Sequence, residues 1–420
     1  MNFGTAKIRQ GRRSGGLLLG IAFLILATAG DAAQGPDELP PLTSEASQGG
    51  DLGVPIPLFP PDNWWNLDIS AAPVDPDSAQ YISFINNGGN RRMHPDFGGE
   101  VSPGSDEVYG MPYIVVDGDQ PKVPVEFLYW DESDGVDHPD NTSLPFYPIP
   151  IESQIEAHWI ECGPPGNVDL RSSCDRHMLI VDRDNRHLYE LWNVYFDGAQ
   201  WHAGSGAFFD LDTNDRRPDG WTSADAAGLA ILPGLVRYDE VYGTGPIEHA
   251  FRVTVRATNG HVWPASHTAG STTGALPMGA RLRLKPDVDI SGYDPAVQRI
   301  FQAMKTYGLI VADNGSDLYV QGTFDTRWDN DVLNPAFHSL HASDFEVIEL
   351  GWQPASTASS GDANSDGSVT VADIFYVINH LFAGGPLPAA AFDPNGDASV
   401  TVADIFYLIN YLFAGGPAPL

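Results

Sequence analysis

Basic side chains are scarce in this 420-residue chain, where 22 Lys and Arg stand against 55 Asp and Glu, giving a formal net charge of −33. Nucleic-acid binding needs a basic surface that neutralises phosphates, so this balance argues against a nucleic-acid partner. The same excess of negative charge disfavours a polyanionic substrate, although a local basic groove could override the average.

Cysteine is almost absent as well, because Cys162 and Cys174 are the only two in the chain. They flank a Gly-Pro-Pro-Gly turn. Two thiols make a zinc site only with further ligands, and the nearby His158 and His177 fit no familiar zinc spacing. In an exported chain, this arrangement predicts a disulfide that closes a short loop.

Long apolar runs are absent outside the N-terminal region. Residues 1–33 combine a basic segment, the apolar run Leu17–Leu26 and small residues up to Ala33. This pattern is typical of a secretory signal peptide, and the run is too short to favour the alternative, a membrane anchor. We therefore predict a secreted or cell-surface protein without a membrane span once the signal peptide is removed.

Familiar catalytic motifs are also absent. The sequence contains no Gly-x-Ser-x-Gly, no His-Glu-x-x-His and no phosphate-binding loop. Any activity must therefore be inferred from individual side chains and their neighbours.

Composition divides the rest of the chain into a large domain and a C-terminal module. Residues 34–54 are rich in Pro, Ser, Gly and acidic residues, and residues 352–360 are rich in Ser. Both segments are predicted to be linkers. The intervening residues 55–351 have a globular composition, and residues 361–420 form the module.

Apolar and polar residues alternate in many short segments of the large domain, with Pro and Gly between them. This pattern favours a mainly β fold of the β-sandwich or jelly-roll type. The expected strands are Tyr113–Asp117, Val123–Trp130, His177–Asp182, Leu188–Tyr195, His249–Val255 and Arg281–Leu284. The expected helices are a short one near Ser223–Gly228 and a longer one over Asp294–Tyr307.

The last sixty residues contain a repeat whose copies begin at Asp362 and Asp393. Each copy has oxygen-bearing residues at loop positions 1, 3, 5, 7, 9 and 12, the EF-hand spacing that suits Ca²⁺. Position 7 would supply its backbone carbonyl. The predicted ligands of two calcium ions are Asp362, Asn364, Asp366, Ser368, Thr370 and Asp373 in the first loop, and Asp393, Asn395, Asp397, Ser399, Thr401 and Asp404 in the second.

The charge pattern of this region supports the calcium prediction. Residues 361–420 contain no Lys, Arg or Glu, and all six Asp fall at loop positions 1, 5 and 12. An acidic, solvated turn, which is the alternative, does not explain that placement. Three carboxylates per loop repel one another without a cation, so calcium binding should be coupled to folding. Loop position 6 is Gly367 in the first copy and Ala398 in the second, which predicts a weaker second site.

Each loop is followed by apolar residues at helical spacing and then by Gly-Gly-Pro. The duplicated unit resembles a type I dockerin, the module that attaches secreted polysaccharide-degrading enzymes to cohesin-bearing scaffolds. The resemblance implies a two-calcium module of pseudo-twofold symmetry and a cohesin-like partner. Dockerins that bind known cohesins carry hydroxyl residues at loop positions 10 and 11, where this chain has Val371-Ala372 and Val402-Ala403. Packing of the helices on the large domain is therefore the alternative.

Parts of the large domain, among them Asp175–Asp182 and Gly220–Gly228, are similar to secreted bacterial proteins of uncharacterised activity. This second resemblance supports secretion and implies no particular reaction.

Carboxylates beside aromatic residues provide the catalytic candidates. Glu190 lies in an expected strand between Tyr189 and Trp192, and this setting suits a sugar site because rings stack on sugar faces and raise the pKa of a nearby acid. Glu240 and Asp313 follow apolar strands, where loops usually carry function. We predict Glu190 and one of these two as the carboxylate pair of a glycoside hydrolase. The alternatives are an exposed strand residue for Glu190 and turn chemistry for the others.

The predicted function is that of a secreted, polysaccharide-active protein, with Trp192, Trp221 and Trp263 as substrate-binding platforms. A polysaccharide lyase using His249 or a Tyr as its base is the first alternative. A non-catalytic carbohydrate-binding or cell-surface structural protein is the second. Each Trp, and His249 as well, could instead belong to the core.

Overall fold

The computed structural model describes residues 46–354, here termed the large domain, and residues 360–389 and 392–419. The predicted signal peptide, residues 34–45 of the first predicted linker and residues 355–359 of the second lie outside the described residues. Among the helices of these three ranges, none is long and apolar enough to cross a membrane.

The large domain alternates short strands with a few helices. Its strands are β1 (Ser47–Gln48), β2 (His94–Asp96), β3 (Tyr113–Val116), β4 (Val125–Phe127), β5 (Val136–Asp137), β6 (Thr142–Ser143), β7 (Met178–Asp182), β8 (His187–Trp192), β9 (Tyr195–Phe196), β10 (Trp201–Ala203), β11 (Ser205–Asp210), β12 (Phe251–Val255), β13 (Arg281–Leu284), β14 (Leu309–Asn314), β15 (Tyr319–Gln321) and β16 (Phe345–Val347). Its α-helices are α1 (Ser78–Asn86), α2 (Glu152–Ile155), α3 (Tyr238–Val241), α4 (Pro295–Thr306) and α5 (Asn330–Ser339). The C-terminal repeat contributes α6 (Val371–Ala383) and α7 (Val402–Ala414).

The larger of the two main sheets has six strands in the order β16-β13-β14-β12-β15-β2. Strands β12 and β14 run parallel, whereas β13 is antiparallel to both of its neighbours. Every residue of β12 and β13 is buried, because helices α1 and α4 pack against this sheet. The polar residues of these two strands are therefore buried as well, and they are Arg252, Thr254, Arg281 and Arg283.

Helix α4 confirms the predicted helix over Asp294–Tyr307. The Asp294 side chain accepts the backbone N–H of Ala296, and Pro295 occupies the first turn, where its missing N–H costs nothing. The residues at helical spacing that face the core are Val297, Ile300, Phe301 and Met304.

The second main sheet has five strands in the order β1-β3-β7-β8-β11, and apolar cores cover both of its faces. Leu179 and Leu188 pack into the core that the sheet shares with the six-stranded sheet. Ile180 and Leu191 point to a smaller core shared with the three-stranded sheet β4-β10-β9. A tight turn at Asp184-Asn185 joins β7 to β8 in antiparallel register.

The predicted fold class is confirmed in part. The large domain is rich in strands and the C-terminal region is helical, as expected. The large domain is nevertheless mixed α/β, because four strand pairs, β3–β7, β4–β10, β12–β14 and β2–β15, run parallel. A jelly roll is antiparallel, so these sheets differ from the sandwich that the sequence suggested.

Two segments differ from their predicted structure. Residues 223–228 form turns instead of a short helix, because the Ser223 hydroxyl bonds the backbone at Asp225 and Leu229. The ordered fold also begins before residue 55, since β1 pairs with β3 and Leu52 is fully buried.

The predicted disulfide is present, and it joins Cys162 to Cys174. It closes a short loop whose flanking residues are Glu161 and Asp175.

We expect the double variant Cys162→Ser/Cys174→Ser to lose about 3 kcal/mol of unfolding free energy, because the cross-link restricts the unfolded chain over a loop of this length. Urea unfolding of wild type and variant, each with and without reductant, measures the difference. Reductant should destabilise only the wild type. A reductant effect of equal size on both proteins would contradict the assignment.

Candidate functional site

A cleft of about 400 Å³ lies where β8 and β14 end and β11 begins. Two histidines, His177 and His267, line this cleft. Two other grooves of similar volume, along residues 55–61 and along α4, have no histidine in their lining. The lining residues with functional side chains are Tyr129, Glu132, Asp175, His177, Trp192, His267, Asp313 and Asn314.

Asp313 is the cleft carboxyl whose environment is most unusual. The register of β12 against β14 shifts next to it, so that Val253 opposes Val311 and Thr254 opposes Asp313, and the bulge re-aims the end of the strand. The side chain is 29% exposed. Burial and the neighbouring charge of Asp225 raise the pKa of Asp313 to about 7, against the opposing influence of Arg252. Near neutral pH this carboxyl therefore exists both as an acid and as its conjugate base.

A buried ion pair stands behind Asp313. The Arg252 guanidinium donates from Nε and Nη2 to the two oxygens of Asp225, at 2.9 and 2.7 Å, and both side chains are almost fully buried. Nη2 of Arg252 also lies 4.0 Å from Oδ2 of Asp313. Arg252 of strand β12 thus lies between Asp225, in the turn at 223–228, and the cleft residue Asp313.

His177 places a positive charge in the cleft wall. Its Nδ1 lies 2.7 Å from Oε2 of Glu161 and its Nε2 lies 3.1 Å from the carbonyl oxygen of Ala224. Because both ring nitrogens face oxygen acceptors, the ring donates twice and is an imidazolium. Burial alone would lower the pKa of His177, but the charge and hydrogen bond of Glu161 outweigh it and raise that pKa to about 9.

Glu161 and His177 also pair through their backbones. The N–H of Glu161 donates to the carbonyl of His177 at 2.9 Å, and the N–H of His177 donates to Oε2 of Glu161 at 3.1 Å. Cys162 of the disulfide directly follows Glu161, and Cys174 lies three residues before His177. We term the two paired residues and the disulfide the clasp.

An aromatic wall forms one side of the cleft. The rings of Tyr129 and Trp192 are stacked, with centroids 6.3 Å apart and planes 23° apart. The Trp192 indole donates to Oδ1 of Asp175 at 3.4 Å, and Oε2 of Glu132 accepts the N–H of Thr222 at 3.0 Å. Glu132 and Asp175 therefore each keep one oxygen that has no partner among the described residues.

The residues predicted as catalytic fall into three separate places. Asp313 lies in the cleft. Glu190 is fully buried, and its oxygens accept the backbone N–H groups of Ile231 and Leu232 at 2.7 and 2.9 Å. Burial raises the pKa of Glu190 to about 7, although these hydrogen bonds oppose the rise. Glu240 and His249 contact each other at 3.3 Å in a different buried cluster.

The three predicted aromatic platforms are similarly dispersed. Trp192 lines the cleft. Trp221 is next to the cleft residue Thr222, with the Arg217 guanidinium 5.5 Å from its ring centroid. Trp263 packs edge-on against Trp64 at 6.4 Å, beside the main core.

Several cleft residues lie outside the predicted site. Glu132 ends a short 3-10 turn at Trp130–Glu132, and Asp175 lies in the irregular segment before β7, so neither belongs to a pattern that sequence reasoning could single out. Asp225 had one available signal. Arg252 interrupts an apolar strand, and a buried arginine requires an acidic partner somewhere in the chain.

The first aspartate of each C-terminal loop accepts hydrogen bonds from the backbone of its own loop. In the first loop Asp362 accepts the N–H groups of Asp366 and Gly367, and Asp393 does the same for Asp397 and Ala398 in the second. Asp373 and Asp404, at loop position 12, are fully buried. Each also completes a capping box at the start of its helix, with Thr370 or Thr401 as the N-cap.

The donor set of these loops fits a hard cation. Oδ1 of Asp404 is buried without a hydrogen-bond partner among the described residues, and burial together with Asp397 and Asp393 raises the pKa of Asp404. No three His, Cys, Asp or Glu side chains converge on one point in the described ranges. An EF-hand-type loop takes its other ligands from an amide, a backbone carbonyl and a hydroxyl, which are also present here.

The helices after the loops pack against each other through part of their apolar surface. The buried members are Ile374, Val377, Ile405 and Leu408. Four phenylalanines of the same helices remain 65–69% exposed, and these are Phe375, Phe382, Phe406 and Phe413.

Comparison with known proteins identifies the C-terminal unit. Residues 360–413 match the family model of the dockerin type I domain, which confirms the resemblance seen in the sequence. Type I dockerins typically bind calcium and imply a cohesin partner, and their presence implies an extracellular, cellulosome-associated protein that acts on carbohydrate. Neither the curated proteins nor the solved structures give a match, and the large domain is assigned to no family.

The clasp predicts a pH-dependent stability. The pKa of His177 is raised from about 6.5 in the unfolded chain to about 9, so the folded protein binds an extra proton between these values. The stabilisation is complete below pH ~6.5 and is lost as the pH rises through ~9. We expect Glu161→Gln to flatten this slope in urea-unfolding free energies measured across pH 6–10.

The single variant His177→Gln supplies the control. If the slope comes from the clasp, Glu161→Gln should add little to the effect of His177→Gln, because either change removes the same proton. Two independent, additive changes in slope would contradict the pairing.

The second calcium loop carries an avoidable strain. Ala398 has a φ of 62°, the left-handed region that costs a non-glycine residue about 1 kcal/mol, whereas Gly367 occupies the equivalent place at 90°. We expect Ala398→Gly to tighten calcium binding about fivefold, measured by calorimetric titration. Gly367→Ala should weaken binding by a similar factor, and equal affinities for all three proteins would contradict the argument.

Proposed function

We propose that this protein is a secreted glycoside hydrolase whose dockerin attaches it to a cohesin-bearing partner. The observation that carries the proposal is Asp313, a carboxyl that titrates near neutrality at the floor of a cleft with an aromatic wall. Cleavage of a glycosidic bond needs an acid that protonates the leaving oxygen, and an acid with a raised pKa is suited to that step.

The second carboxylate of the reaction is Glu132 or Asp175. Each has one oxygen without a protein donor, and neither has a basic side chain within 4 Å among the described residues. In the proposed reaction one of these two carboxylates acts as base or nucleophile, whereas Asp313, whose pKa is raised to about 7, acts as the acid. The ionised carboxylate would activate water or attack the sugar directly, while Asp313 donates its proton to the leaving oxygen.

The aromatic wall supports a sugar substrate. Stacked Tyr129 and Trp192 present apolar ring surface of the kind that covers the faces of pyranose rings, and polar groups beside them would orient the hydroxyls. The His177 imidazolium moderates the rise in the pKa of Asp313, because a nearby cation favours the ionised form.

Glu190 has a structural role in this proposal. Its buried oxygens hold the backbone of residues 231–232 against strand β8, and no route connects them to a substrate. The proposal therefore replaces the sequence-based pairing of Glu190 with Glu240 or Asp313 by a pair of carboxyls that lies within the cleft.

A polysaccharide lyase is less well supported. Such an enzyme neutralises a uronate carboxylate with a free cation before it removes the neighbouring proton. The arginines near the cleft and His177 already have acidic partners, because Arg252 binds Asp225, Arg217 binds Asp134 and His177 binds Glu161.

The exposed phenylalanines of α6 and α7 support a protein partner for the dockerin. Their apolar surface is repeated on the two helices, as the sequence repeat requires. Two calcium ions, one per loop, would order the module that presents it.

Asp313→Asn tests the proposed acid. We expect hydrolysis to fall at least about a thousandfold, because general acid catalysis contributes up to about four orders of magnitude. In the wild type, kcat should decline as the pH rises through about 7, where Asp313 loses its proton. The assay follows new reducing ends and the absorbance of unsaturated sugar ends together, over a panel of neutral and acidic polysaccharides.

Glu190→Gln is the matched control, because it changes a buried carboxyl outside the cleft. It should lower stability while kcat of the folded fraction is kept. Full activity in Asp313→Asn would refute the assignment of the acid. Unsaturated ends would indicate a lyase, and binding without either product would indicate a carbohydrate-binding protein.

A further inference from the structure

A second buried charged cluster lies beside helix α3 and shares no lining residue with the cleft. It consists of Arg237, Glu240 and His249, whose side chains are 6%, 9% and 5% exposed. Oε2 of Glu240 lies 3.6 Å from Nε of Arg237 and 3.3 Å from Nε2 of His249. One carboxylate is therefore the acidic partner of two basic groups.

Both basic groups are cationic. Nδ1 of His249 lies 2.8 Å from the carbonyl oxygen of Ala250, and Nε2 faces Glu240, so both ring nitrogens donate. Burial opposes the charge, but Glu240 outweighs it and raises the pKa of His249. Glu240 is the one carboxylate within 4 Å of Arg237 or His249 among the described residues. The cluster thus carries a net positive charge in a buried place, which is costly unless an anion balances it.

Arg237 also has donors that the fold does not use. Its Nε and Nη1 are buried and make no hydrogen bond within the described part of the chain. The guanidinium lies 5.5 Å from the centroid of the Tyr113 ring, a contact that stabilises the charge and leaves these N–H groups unbonded. Unbonded buried donors of a charged group point to an acceptor that is not part of the chain.

The cluster borders a small void. Arg237, Glu240 and His249 line it together with Asn66, Leu232 and the segment Ile56–Leu58, and its volume is about 10 Å³. This is about the space of one water-sized particle. Phosphate, sulfate and carboxylate ligands are too large for it.

We propose that this void binds a halide ion, such as chloride, held by the unused N–H groups of Arg237 beside the His249 imidazolium. The net positive charge favours an anion over a neutral water molecule, and the volume restricts the anion to a single atom. The ion would connect residues 56–58, helix α3 and the start of strand β12. It therefore acts on stability and does not depend on the proposed hydrolase activity.

Bromide provides a direct test, because its anomalous scattering distinguishes it from water. We expect crystals of the full chain soaked in sodium bromide to show an anomalous peak between Arg237 and His249. In solution, a ligand that binds the folded state raises the midpoint of thermal unfolding. Replacing sodium gluconate with sodium bromide at equal ionic strength and equal calcium should raise that midpoint by about 2–4 °C.

Two variants change the charge of the site in opposite directions. Arg237→Gln removes the donors and should abolish the bromide response. At pH ~5, below the ordinary pKa of histidine, Glu240→Gln removes the competing negative charge while His249 keeps its proton, so it should tighten bromide binding about tenfold. This result remains informative if Arg237→Gln does not fold. The control is Arg327→Gln, an exposed arginine outside the void, which should respond like the wild type.

The opposite result is equally clear. If the bromide peak is absent and bromide and gluconate give the same unfolding midpoints in the wild type and in Glu240→Gln, the void holds water and the proposal is wrong. An equal response of Arg237→Gln and the wild type would place the bromide effect elsewhere on the protein.

Discussion

The bidentate pair between Arg252 and Asp225 is the interaction on which the candidate site depends. Removing two charges from water costs several kcal/mol each, and this cost is recovered only with well-aligned hydrogen bonds such as the two seen here. The pair therefore contributes more to the position of its neighbours than to net stability. It fixes the turn at 223–228 against strand β12, and that turn supplies the carbonyl of Ala224 to His177.

The same pair also influences the pKa of Asp313. Asp225 pushes the pKa of Asp313 upward, whereas Arg252 and the His177 imidazolium push it downward. The two members of the Arg252–Asp225 pair thus shift the pKa of this partly exposed carboxyl in opposite directions. A site of this kind needs no flexible parts to set its proton affinity, because every charge that acts on Asp313 is held in place by a partner.

Sequence patterns predicted local structure well where the spacing of apolar residues along the chain defines the buried face of a helix or strand. The strands near residues 113, 178, 188 and 251, helix α4 and both dockerin loops are examples. Sheet order and parallel pairing were not predictable, because they depend on contacts between segments distant in sequence. The cleft shows the same limit. Asp313 was a candidate. The positions of Glu132, Asp175 and Asp225 at or behind the cleft were not predictable, because they depend on how irregular segments pack together. Glu190 illustrates the converse, since a carboxyl between aromatics can bind backbone N–H groups as well as sugars.

Because the clasp contains a disulfide, it bears on when and where the candidate site is fully formed. Its disulfide links Cys162, next to the Glu161 that pairs with His177, to Cys174, next to the cleft residue Asp175. Disulfides of this type form outside the reducing cytoplasm. Inside the producing cell the chain would carry two free thiols and a loosely held wall, and the wall would be locked only after export. The site of the proposed hydrolase would then be completed only in an oxidising, extracellular compartment.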